Sequence, residues 1–160
     1  MRWVAGLWLM AWAMAADAGE PSGARAFMQG ALAFALHGDV DPRSPAYLRF
    51  FTKPLADAML LDGSQSDIGV IEAEVLCQCQ DNGGLKARVQ QVAPVGADVA
   101  VRVHYSADGD WRHDATFILH QENRQWRIAD IWDDGTAKSS LFKALEISNR
   151  ERFGGSRKRR

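Results

Sequence analysis

From Ala97 to Ser106 the chain alternates, with Val99, Val101, Val103 and Tyr105 on one side and Arg102 and His104 on the other. A period of two marks a strand with one buried face. The same reading applies to Leu85–Val92, to His113–Gln121 with Ala115, Phe117 and Leu119 inward, and to Gln125–Trp132 with Trp126 and Ile128 sharing a face. Ser106–Asp110 and Glu122-Asn123-Arg124 supply the turn residues between strands. Already from Val70 the period shifts toward two.

Before Val70 the spacing is helical. Phe27, Met28, Ala31, Leu32, Phe34, Ala35 and Leu36 predict a helix within Pro21–Gly38, with Gly38 as its stop. Ser44 and Pro45 suit the cap and first turn of a second helix through Tyr47, Leu48, Phe50 and Phe51. Pro54 breaks it or opens a further helical segment, Leu55–Leu61, which stops before Asp62-Gly63-Ser64. A last helix is expected over Lys138–Arg152 on Leu141, Phe142, Leu145 and Ile147. Helices, then a strand meander, then a helix predict an α+β fold: N-terminal helices packed on a curved antiparallel β-sheet, with a C-terminal helix.

One apolar run stands outside this pattern. Residues 1–18 carry Arg2 at the front, an apolar stretch from Trp3 to Ala16, and Ala16-Asp17-Ala18 as a small-x-small cleavage site. That is the form of a secretory signal peptide cut near Ala18, with a cut after Ala15 or an uncleaved anchor as alternatives. The expected organisation is a signal peptide (1–18), one domain (19–153) and a basic disordered tail (154–160). The expected location is the periplasm or the exterior. From Lys138 onward eight basic and two acidic residues give +6, so everything before carries −7 of the net −1. Arg157, Lys158, Arg159 and Arg160 either stay solvated or make weak contact with an anionic membrane. A secreted chain with a basic end and an acidic body is a poor nucleic-acid binder, and none is expected as a partner.

The chemistry-bearing residues are few. Cys77 and Cys79 flank a single residue, and export permits a disulfide. Along an extended strand their Cα atoms stand near the limit a disulfide spans, so a bridge needs a kink. Packed thiols, a strained or redox-active bridge and a soft-metal pair all remain open. Asp130 shares alternation parity with Trp126, Ile128 and Trp132. On a concave apolar face it is a general base or ligand anchor; otherwise it caps or pairs within the fold. Gln80 and Asp81 open a polar cluster with Asn82-Gly83-Gly84, either a turn or a binding element. The four histidines show no zinc spacing, and no phosphate loop or nucleophile elbow is present. No metal or other cofactor is expected.

Cys77-Gln78-Cys79-Gln80-Asp81, Gly84-Leu85-Lys86, Trp126-Arg127-Ile128-Ala129-Asp130-Ile131 and the closing Leu-rich helix together resemble the exported bacterial family catalogued as domain of unknown function 3828. The resemblance covers roughly Ala24 to Arg152. It implies a cystatin-like or nuclear-transport-factor-like superfold and points to Cys79, Gln80, Asp81, Trp126 and Asp130. Where the family often has Asp, this chain has Ala129, which leaves no carboxylate pair in the closing motif. The superfold includes ketosteroid isomerase as well as proteins without catalysis, so it assigns no activity.

These observations lead to an exported, non-enzymatic module that binds a protein or small-molecule ligand, in an immunity- or inhibitor-like form among others. The alternative is a small enzyme of the ketosteroid-isomerase-like fold using Asp130 in a pocket. A homodimer through an exposed strand edge is compatible with either.

Overall fold

The computed structural model describes residues 21, 23–37, 40–64, 69–80, 83–133 and 135–154. The leader, Asp81 and the tail from residue 155 lie outside the described residues. The elements run α1 (Ala24–Leu36), α2 (Pro45–Leu48), α3 (Lys53–Asp62), β1 (Lys86–Val95), β2 (Asp98–Ser106), β3 (Arg112–Glu122), β4 (Gln125–Trp132) and α4 (Leu141–Gly154), with a short 3-10 turn at Ala137–Ser139 before α4. The class is α+β, and the antiparallel sheet has the order β1-β2-β3-β4. The sheet is curled only slightly and is not closed.

Local chemistry explains most boundaries. Ser44 accepts the Tyr47 amide at 3.2 Å, and Pro45 fills the first turn of α2. That helix ends at Leu48, so the apolar run through Phe51 is divided between a short helix and a turn. Pro54 lies in the first turn of α3, where its missing N–H costs nothing. The β3–β4 hairpin turns on Asn123 and Arg124, both with positive φ, the backbone form that matches strand twist.

The alternating residues bury one sheet face beneath the helices. Val101, Val103 and Tyr105 of β2, Phe117 and Leu119 of β3, and Ile128 and Ile131 of β4 join Met28, Leu32, Leu55 and Leu145 in one core. Val101 stands opposite Phe117, and Phe117 opposite Ile131. The β4 edge is covered, because Thr52 donates to the Ile128 carbonyl and Ile128 to that of Phe50. β1 is the other edge. A bulge between Val89 and Gln91, charged Lys86 and Arg88, and Pro94 discourage further strand pairing there. No helix among the described residues is long and apolar enough to cross a membrane.

One expectation fails outright. The shift toward a period of two from Val70 does not produce a strand. Val70–Gln80 is an irregular strap of bends and turns, closed by a single antiparallel bridge between Glu74 and Cys79.

Candidate functional site

Two carboxylates, Asp62 buried and Glu74 half-buried, hold the strap. Asp62, at the end of α3 and 2% exposed, accepts the amides of Val70 at 3.0 Å and Ile71 at 3.1 Å. Arg152 of α4 approaches the same carboxylate at 3.8 Å. Gly69 lies against it so closely that a Cβ there would stand 2.2 Å from Asp62 Oδ2. At the other end Glu74 folds inward. Its Oε1 accepts the Leu76 amide at 2.9 Å and the Tyr47 hydroxyl, and its Oε2 accepts the Cys77 amide. Tyr105 adds a hydrogen bond to the Leu76 carbonyl at 2.6 Å. Burial, and then the Glu74 charge, push both the Tyr47 and Tyr105 hydroxyls well above the usual phenol range, so they remain protonated donors.

This scaffold closes the cysteine ring. The amide of Glu74 donates to the Cys79 carbonyl at 2.9 Å. Gln78 takes a left-handed φ of 56° and returns its side-chain amide to the Val75 carbonyl at 2.6 Å. That turn brings the Cα atoms of Cys77 and Cys79 to 5.2 Å, and the two sulfurs are bonded. It is the kink that two cysteines so close in sequence need. Cys77 is buried at 2% exposure, whereas Cys79 is partly exposed.

A cleft lies on each side of the strap. The first, about 570 Å³, runs between α3 and the strap; Arg43, Leu60, Glu72, Cys79 and Gln80 are among its walls. Its floor includes Met59, Ile71 and Val75, and Arg43 donates to the Gly63 carbonyl at its rim. The described lining has no histidine, serine or lysine beside its carboxylates. The second, about 540 Å³, opens toward Leu141 and Ala144 of α4 and shares Ile71–Val75 as its wall.

The described candidate residues are dispersed. Cys79 and exposed Gln80 line the first cleft. Trp126 is half-buried against the core, with its indole beside Gly23. Asp130 is on the opposite sheet face from the one its alternation implies. Ile118 pairs with Asp130 but Leu119 pairs with Ile128, so Ala129 is the extra residue of a bulge. The bulge reverses the parity, leaving Ile128 and Ile131 in the core and turning Asp130 outward. There Asp130 accepts three N–H groups: Ile131 at 2.8 Å, Phe142 at 3.0 Å and the Trp132 indole at 2.8 Å. It ties the start of α4 to the end of β4 and lines none of the clefts described here.

Arg102 and His104 are on the open sheet face, as their alternation implies. They converge on Asp114 from β3, each at 2.6 Å. The His104 hydrogen bond, followed by that of Arg102, holds the Asp114 carboxyl below its ordinary range. A depression of about 450 Å³ runs past Arg102, Asp114 and Thr116. His120 pairs similarly with Asp98 at 2.6 Å, and His113 with Asp133 at 3.1 Å. Among the described residues no three His, Cys, Asp or Glu side chains converge as a metal site.

Sequence reasoning missed Glu74 and the cleft. The available clue was an acidic residue directly before the apolar run Val75-Leu76-Cys77. Its acceptor role depends on Tyr47, distant in the chain. No family model, curated protein or solved structure matches the chain.

Proposed function

We propose that this chain is an exported, non-enzymatic binding module whose ligand occupies the cleft between α3 and the Val70–Gln80 strap. The observation that carries this reading is the cleft itself. Its volume of about 570 Å³ is in the range of small-molecule and peptide side-chain sites, and its strap wall is anchored at both ends by hydrogen-bonded carboxylates. A pre-formed wall reduces the ordering cost of binding. Glu72 and Gln80 supply polar contacts, while Met59 and Ile71 supply apolar area. Export rests on the leader pattern of residues 1–18. An immunity- or inhibitor-like role is the form in which the ligand is a segment of another protein.

The test is purification of the mature chain from its native cell envelope, followed by native mass spectrometry. The expected N-terminus is near Gly19, and a protein or small-molecule ligand is expected to co-purify. Leu60, at 38% exposure on the cleft wall, tolerates substitution without loss of core. Leu60→Arg is expected to abolish the association, and Lys86→Ala on the far sheet edge to preserve it. A ligand that survives Leu60→Arg unchanged overturns the assignment of the cleft.

The observations do not favour the enzymatic alternative. It called for Asp130 at the wall of an apolar pocket, whereas Asp130 is committed to three N–H donors on the outer sheet face.

A further inference from the structure

We propose that the Cys77–Cys79 disulfide is a thiol-exchange site, attacked from the cleft at Cys79 alone and acting on low-molecular-weight thiols. Three observations carry the inference. The two cysteines differ in access: Cys77 is buried, whereas Cys79 is partly exposed and forms part of the cleft wall. The bridge spans one intervening residue, so it removes little chain entropy and the fold does not depend on it as a staple. The Glu74–Cys79 bridge and the inward Glu74 carboxylate hold the backbone of both cysteines independently of the sulfur bond. A reduced pair therefore stays poised to close again.

The chemistry balances as ordinary exchange. A thiolate attacks Sγ of Cys79, forming a mixed disulfide as the Cys77–Cys79 bond breaks, and the electron pair leaves on Sγ of Cys77. That sulfur faces the carbonyl oxygens of Glu74 at 3.9 Å and Cys79 at 3.7 Å, and a proton from water completes the thiol. A second thiolate then attacks the small-molecule sulfur of the mixed disulfide and releases Cys79 as thiolate. Two external thiols become one disulfide, and the protein holds two thiols. The reverse sequence, with a small disulfide as oxidant, restores the ring.

The test uses the oxidised mature chain and reduced glutathione as the probe. After a short pulse, samples are quenched in acid and free thiols are alkylated before peptide mapping. Glutathione is expected on Cys79 over Cys77 by about tenfold or more, with circular dichroism unchanged. Rapid re-closure keeps the adduct scarce, so single-thiol variants provide the second measurement. Cys77→Ser is expected to react with glutathione disulfide about ten times faster than Cys79→Ser. Equal or reversed rates overturn the proposal. So does an oxidised chain whose disulfide resists dithiothreitol until the protein unfolds.

Discussion

Glu74 shows how a single side chain can organise an irregular segment. Its carboxylate accepts from Leu76, Cys77 and Tyr47, and no neutral side chain of similar size accepts all three equally well. Glu74→Gln places an N–H₂ group against those donors and is expected to cost about 1–3 kcal/mol, read as a shift in the urea midpoint. Asp114 acts on the opposite face and through pH. Its folded pKa is lowered, so its stabilisation is present above the unfolded value of about 3.9 and is lost as pH falls through the folded value. At 33% exposure solvent screens the pair, and the contribution is expected to stay below about 1 kcal/mol. Urea titrations between about pH 2 and 5.5 should show a shallower acid loss for Asp114→Asn than for the parent.

At the scale of elements, β4 and α4 are coupled through Asp130. The carboxylate supplies an acceptor to the Phe142 amide in the first turn of α4 and is itself placed by the bulge at Ala129. Asp130→Ala is expected to cost about 1–2 kcal/mol and to speed hydrogen exchange selectively over the first turn of α4. The strap depends on a glycine in the same way. Gly69→Ala would drive a methyl into the Asp62 carboxylate, and is expected to cost about 1–3 kcal/mol and raise amide exchange at Val70 and Ile71. The four strands were legible within a residue or two at most ends, because side chains alternate along β2 and turn residues separate the strands. The strap was not: its amides go to carboxylates on α3 and within its own turn, leaving no periodic trace.

Across the whole molecule, a slightly curled sheet covered on one face leaves two kinds of concavity. The clefts beside the strap arise where irregular chain fills the space between α3, α4 and the sheet. The depression at Asp114 is on the uncovered face. Leu145 is fully buried where α4 meets the core. Leu145→Ala is expected to cost about 2–5 kcal/mol and to unfold the helices and sheet together, seen as coincident far-UV and tryptophan transitions.

The order of elements, the α+β class, the inward faces of β2 and β3 and the capped start of α2 were determined by sequence alone. Each reflects a local rule of period, cap or turn that needs no distant partner. The tertiary structure decided which way Asp130 points, how Cys77 and Cys79 meet, and that Glu74 accepts from Tyr47, Leu76 and Cys77. Parity counting cannot see a bulge, and one extra residue at Ala129 reversed the predicted face. The Tyr47–Glu74 and Tyr105–Leu76 bonds join residues 27 and 29 positions apart. The geometry of the strap and its clefts comes from such contacts, which no local period, cap or turn encodes.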